Sequence, residues 1–307
     1  MKKAILFPGQ GSQTIGMMAD LAGAYPLVKT LFHEASDLLN IDLWNLTQEG
    51  PIDQLSQTEH TQPALLVSGV AAWRVWQHLE GEQPAVMAGH SLGEYTALCC
   101  AGAIDFKDAV TLVRDRGRYM QDAVPAGEGA MAAILGLDDD NVKAVCEQIS
   151  ATELVQAVNF NAPGQVVIAG TSQGIELAVA AMKEAGARRA LPLPVSIPAH
   201  SSLMSPASER LAQRLDTIKI SIPGIPVIHN CNVQIAESAE QIKTNLVQQL
   251  DSPVRWVECV QAIQKLGVNH YIESGPGKVL SGMVKRIVSD AELACIEKPE
   301  AFKTVIS

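Results

Sequence analysis

Ser91 lies between Gly89 and Gly93 in the stretch VMAGHSLGEY, which fits the pattern G-x-S-x-G. A serine hydroxyl becomes a nucleophile when a neighbouring base takes its proton, and histidine is the usual base. Acyl chemistry on such a serine also needs N–H donors aimed at the oxyanion that forms. Flanking glycines suit a strained strand-to-helix turn, because they carry no side chain that would clash there. The same five residues could also make a plain tight turn. The apolar run before Ser91 reads as a strand and the run from Leu92 as a helix. That helix start would point backbone N–H groups and a partial positive charge at the hydroxyl.

The chain has seven histidines. His90 is adjacent to Ser91, so its side chain should project elsewhere from the turn. His33, His60 and His78 sit in or beside polar helical stretches. His200, in the loop IPAHSSLM, and His229, at the end of a strand-like run, remain as the two candidate bases. Either could instead be satisfied by a hydrogen bond in the core. No third acid stands out. Asp105, Asp108, Asp115, Asp122 and the run Asp138, Asp139 and Asp140 read as helix starts or surface residues, and a backbone carbonyl could orient the imidazole in their place.

Arg116 conflicts with its helix. In DAVTLVRDRGRYM, Ala109, Leu112, Val113 and Met120 form an apolar stripe. Arg116 falls inside that stripe, whereas Arg114 and Arg118 fall opposite. A guanidinium facing the interior must be paired, either with a buried carboxylate of the chain or with the carboxylate of a substrate. The loop PGQGSQ after the first strand is Gly-rich, but it matches neither the dinucleotide fingerprint nor a Walker loop. Its other use is to supply a backbone N–H to an oxyanion.

Positioning these groups requires a sheet. KAILF, AVMAGH, IPVIHN and NHYIESG read as short buried strands, separated by helical stretches such as PALLVSGVAAWRVWQHLE and FKDAVTLVRDRGRYMQDAV. This pattern predicts an α/β fold with a parallel-sheet core. Residues 125–196 differ. They read as strand 129–137, helix 138–150, strands 154–161 and 165–171 around a turn at 162–164, helix 172–187 and a last strand over 188–196. The order β-α-β-β-α-β predicts a ferredoxin-like subdomain, inserted in a hydrolase-like domain of residues 1–124 plus 197–307. Two domains also suit the length of 307 residues.

The composition narrows the function. A net charge of −10 argues against general nucleic-acid affinity. Lys2 and Lys3 precede only four apolar residues before Pro8, too short for a signal segment, and no run is long enough to span a membrane. Six cysteines without C-x-x-C spacing predict neither a zinc site nor a disulfide framework, so a cytoplasmic location is expected.

Taken together, FPGQGSQ, TQPAL, GHSLGEY, RDRGRYMQ, NFNAPGQVVIAG, LPVSIPAHSSLM, QQLDSPVRW and ESGPGKVLSGMVKRI resemble the malonyl-CoA:acyl carrier protein transacylases of bacterial fatty acid synthesis. The resemblance implies a malonyl-serine intermediate on Ser91 with His200 as its base. Arg116 would grip the malonyl carboxylate, and the backbone N–H groups of Gln10 and Leu92 would form the oxyanion hole. The backbone carbonyl near Gln249 would orient His200, and Gln62, Met120, Asn159 and Asn161 would line the pocket. It implies no metal and no cofactor beyond the substrate malonyl-CoA, with acyl carrier protein as partner. A monomer is expected that touches neither nucleic acid nor membrane. Lys183, Arg188 and Arg189, or Lys278, Lys285 and Arg286, could form a cationic patch for the carrier. The competing readings are a serine esterase or thioesterase, a malonyl-loading subunit of a decarboxylase or polyketide system, and a non-catalytic subunit that retains the fold.

Overall fold

The computed structural model describes residues 2–195 and 197–306. Met1, Ser196 and Ser307, which terminate the expected domain spans, lie outside the described residues. The strands are β1 (Lys2–Phe7), β2 (Val86–Gly89), β3 (Gly129–Leu135), β4 (Val155–Ala162), β5 (Gln165–Thr171), β6 (Arg189–Pro192), β7 (Val227–Ile228), β8 (Val268–Glu273) and β9 (Glu292–Cys295). They form two sheets. One is parallel throughout, in the order β7-β2-β1-β8-β9. The other is antiparallel, in the order β4-β5-β3-β6.

β1 is the central strand, and Ala4, Ile5, Leu6 and Phe7 are all buried. A parallel strand covered on both faces must be apolar on both, which accounts for the unbroken run AILF. Helix Thr58–His78 buries residues around its whole circumference, including Gln62, Pro63, Leu66, Gly69, Trp73 and Trp76. The stretch expected to be helical from Pro63 begins earlier, at Thr58. Packing outweighs the proline's preference for a helix start. Helix Phe106–Asp122 is amphipathic and starts at Asp105, whose side chain accepts from Lys107 N at 2.9 Å.

The antiparallel sheet has the expected β-α-β-β-α-β chain order, with helices Asp139–Ile149 and Ser172–Glu184 between its strands. Asp138 caps the first helix through Asn141 N at 2.9 Å. Thr171 caps the second through Gly174 N at 3.0 Å. The strand expected over 188–196 is shorter, since Pro192 and Pro194 have no N–H for a ladder. Leu193 N donates to Met131 O at 2.9 Å before the chain leaves the sheet. Likewise the strand expected in IPVIHN is only Val227–Ile228. The tail after Asp290, to which the sequence assigned no role, adds β9 to the parallel sheet and buries Phe302 and Val305 from helix Pro299–Ile306.

The two sheets are joined along a seam. Phe160 N donates to Val254 O at 3.0 Å, and Val254 N to Val158 O at 2.8 Å. Arg286, one of the candidate surface cations, donates to Pro163 O at 2.7 Å and to Gln165 Oε1.

At the end of β2 the chain turns through Ser91, at φ 52° and ψ −107°, into helix Leu92–Cys100. The turn is pressed against its surroundings. A Cβ on Gly89 would lie 1.9 Å from the Gly93 carbonyl, and one on Gly93 would lie 2.0 Å from Phe7 O. No side chain fits either position without backbone movement. Gly89→Ala should therefore shift Ser91 and lower its reactivity about 100-fold, because a displacement of about 1 Å can cost that much. Labelling of Ser91 by a serine-directed fluorophosphonate, together with a thermal melt, checks this. Wild-type labelling in the variant would show that the close approach is not needed.

Candidate active site

The turn lifts Ser91 beyond the carboxyl ends of β1 and β2, where ligands bind in open α/β sheets. Two side chains hold its backbone. Ser91 N donates to Asn230 Oδ1 at 2.8 Å, and Gln249 Nε2 donates to Ser91 O at 3.0 Å. Asn230 Nδ2 also donates to Gly89 O at 2.8 Å, which fixes the strand just before the turn. An unfavourable φ persists only where its surroundings determine it from several directions.

His200 stands over the hydroxyl, with its Nε2 2.8 Å from Ser91 Oγ. Its Nδ1 donates to the backbone carbonyl of Gln249 at 2.7 Å. That bond assigns the proton to Nδ1 and leaves Nε2 as the acceptor for the serine proton. Among the described residues, no acid bonds to His200 to complete a triad. Burial, aided by the charge of Arg116, lowers the His200 pKa from 6.5 to about 3. His229, the other candidate base, is buried with its Nδ1 2.7 Å from Glu94 Oε1. It is held by a buried acid rather than by Ser91.

Arg116 is 1% exposed. Its guanidinium donates to Gln62 Oε1 at 2.8 Å, to Gln249 Oε1 at 3.1 Å and to Ser91 Oγ at 3.1 Å. It lies 5.1 Å from the centre of the Tyr95 ring, a cation–π contact. Nε has no partner. None of the ion pairs among the described residues includes Arg116. The paired carboxylate allowed as one explanation for this arginine is therefore not beside it, and the cation is solvated only by amide oxygens, a hydroxyl and a ring face. Burial lowers its pKa from the ordinary guanidinium value, and nearby Tyr95 and Glu94 oppose the shift.

These groups open into a cavity of about 510 Å³. Gln10, His90, Ser91, Leu92, Arg116, Met120, Asn159 and His200 all contribute to its wall. Met131, Val167, Leu193 and Val195, from or just after the antiparallel sheet, make the opposite side apolar. Two residues expected to line the pocket stand one layer behind it. Gln62 holds Arg116 and donates to Met120 Sδ at 3.5 Å. Asn161 accepts or donates at His90 Nε2 across 2.7 Å. Gln249, fully buried, contributes its carbonyl and its amide but no wall. Asn159 Oδ1 is buried without a partner. Leu92 is the first residue of its helix, where N–H groups have no intrahelical acceptor.

Sequence reasoning missed Glu94, Tyr95 and Asn230. Glu94 could have been found as Arg116 was, since it is a charged residue on a helix whose other residues are almost all buried. Asn230 carries no such signal, because a polar residue after a strand is ordinary.

Comparison with known proteins agrees with the geometry. A family described as "Acyl transferase domain" matches residues 5–297. The chain is 52% identical over 303 residues to the malonyl CoA-acyl carrier protein transacylase of Escherichia coli K12, covering 99% of this chain and 98% of the relative. It is 47% identical to the protein of that name from Bacillus subtilis, covering 99% and 96%. An acyl carrier protein S-malonyltransferase of Vibrio cholerae superposes with a TM-score of 0.97 at 54% identity, covering 99% and 100%. A malonyl-transacylase in complex with its type II PKS acyl-carrier protein superposes with a TM-score of 0.98 at 51% identity, covering 100% and 99%.

The lowered pKa of His200 makes folding stability depend on pH. Between about pH 3 and 6.5 the unfolded chain binds a proton at this side chain that the folded chain does not. The contribution is fully present above 6.5 and is lost as pH falls toward 3, by at most about 1.4 kcal/mol per pH unit. The base also stays neutral through the same window. Fluorophosphonate labelling of Ser91 should therefore stay level from about pH 8 down to about pH 5. A loss of labelling centred near 6.5 would show that His200 titrates like a free histidine.

Proposed function

The chain belongs to the acyl transferase domain family, within its malonyl-CoA:acyl carrier protein transacylases, and we propose that it carries the malonyl group on Ser91. The reaction moves malonyl from coenzyme A to the phosphopantetheine thiol of acyl carrier protein. In the first half, His200 Nε2 takes the proton as Ser91 Oγ attacks the thioester carbon. The oxyanion is met by the Gln10 and Leu92 amides, at a site where losing one donor typically costs about 10²–10³ in rate. The C–S bond then breaks, and the leaving thiolate takes the proton from His200. In the second half the carrier thiol gives its proton to His200 and attacks the ester. Ser91 leaves and recovers that proton.

A single observation carries the choice of acyl group. A fully buried guanidinium reaches the serine oxygen, and among the described residues no carboxylate touches it. A malonyl carboxylate would supply the missing charge, in the planar geometry that suits arginine. An acetyl group would leave the cation as it is. Residues 125–196 form the subdomain in this reading, placing β3 and β5 over the thioester arm. We read the enzyme as cytoplasmic. No helix among the described residues is long and apolar enough to cross a membrane.

With malonyl-CoA alone, the enzyme should accumulate a malonyl ester on the peptide containing Ser91, seen by mass spectrometry. Rapid release of free malonate instead would favour a thioesterase. Arg116→Ala should lower malonyl transfer roughly 100-fold or more, the scale of losing one partner of a buried charge pair. Acetyl transfer should fall far less. Equal loss of both would make Arg116 structural.

A further inference from the structure

Behind the serine lies a set of buried polar groups that adds nothing to the cavity wall. Glu94 is fully buried in the first turn of helix Leu92–Cys100. Its carboxylate faces His229 Nδ1 at 2.7 Å, accepts from Asn230 N at 2.8 Å and accepts from Gln249 Nε2 at 2.9 Å. Gln249 is equally buried, and its carboxamide lies between two groups of opposite kind. Nε2 points to Glu94 and to Ser91 O, whereas Oε1 accepts from Arg116 at 3.1 Å. A carboxylate in this setting only accepts, and a guanidinium only donates. One orientation of the carboxamide satisfies both. Turned over, it would set donor against donor at Arg116 and acceptor against acceptor at Glu94.

Resting on the reading of Arg116 as the ligand of the acyl carboxylate, we propose that Glu94 is a positioning residue for acyl selectivity. It holds the Gln249 carboxamide in the orientation whose Oε1 fixes the Arg116 guanidinium beside Ser91. His229 holds Glu94 in turn. This gives His229 a place in the site, three hydrogen bonds from Ser91 through Glu94 and Gln249. Glu94→Gln removes the fixed orientation with almost no change of volume, because the new side chain can present either a donor or an acceptor to Gln249. Gln249→Leu removes the carboxamide and leaves the backbone carbonyl that orients His200.

The test compares kcat/KM for malonyl-CoA and acetyl-CoA in wild type, Glu94→Gln, Gln249→Leu, the double variant and Arg116→Ala. Glu94→Gln should lower the malonyl-to-acetyl ratio about tenfold, within the range of coupling between contacting residues. Gln249→Leu should lower it at least as much, and the double variant should fall no further than Gln249→Leu. A merely structural Glu94 would lower both substrates in the same proportion, with the single effects multiplying in the double variant, and that result overturns the proposal. Should Glu94→Gln fail to fold by circular dichroism, Gln249→Leu decides alone. A wild-type ratio there overturns the proposal, and a lowered ratio supports it. If Arg116→Ala abolishes the preference while Gln249→Leu keeps it, the Glu94 relay fails and the carboxylate ligand stands. If Arg116→Ala keeps the preference, both fail together.

Discussion

A guanidinium is buried beside Ser91 with no carboxylate among the described residues in direct contact, and much of the site is arranged around that constraint. Taking a guanidinium out of water costs several kcal/mol unless its donors are satisfied. Gln62, Gln249, Ser91 and the face of Tyr95 satisfy most of them with neutral groups. Neutral partners keep the cation in place without cancelling its field. A carboxylate at the same distance would have stabilised the fold more and left nothing for an anionic acyl group to complete. In the proposed reading, the acyl carboxylate is the contact that Arg116 lacks.

The same field explains why the histidine needs no acid. A carboxylate behind His200 would raise its basicity and would also pair with the nearby guanidinium. The carbonyl of Gln249 fixes the tautomer and the ring without adding charge. Gln249 therefore serves both sides of the site, since its carbonyl orients the base and its carboxamide orients the cation. Glu94, the nearest buried acid, is kept one residue further back, where it meets only N–H donors.

How much of this could be read from sequence depended on local signals. The elbow was legible because glycines, a serine, an apolar run and a helix start fall in order within ten residues. Arg116 was legible because helical periodicity placed a cation on an apolar stripe. The choice between His200 and His229 was not, since both follow short strands and differ only in what the fold sets opposite them. Family resemblance favoured His200, and the geometry places it 2.8 Å from the hydroxyl. The pocket was legible in outline. Gln62 and Asn161 were read as lining residues, yet they support Arg116 and His90 from behind, because contact at one layer's remove leaves no mark in residue type. Strand lengths were overestimated where prolines end the ladder.

The weak base bears on why an acyl group would be transferred rather than lost to water. A neutral imidazole whose pKa burial holds well below the usual histidine value is a poor acceptor for a proton from water. A thiol, near 8.5, gives up its proton far more readily. In the proposed mechanism Ser91 overcomes the same weakness by a separate means. The guanidinium donates to Oγ and stabilises the developing alkoxide, an advantage no water in the cavity shares by virtue of the base alone. In the proposed mechanism the apolar wall from β3, β5 and residues 193–195 adds a second bias, since it offers an attacking water few polar partners. Acyl transfer over hydrolysis then follows, in the proposed mechanism, from a base held weak by its burial and an approach to the ester lined by apolar side chains.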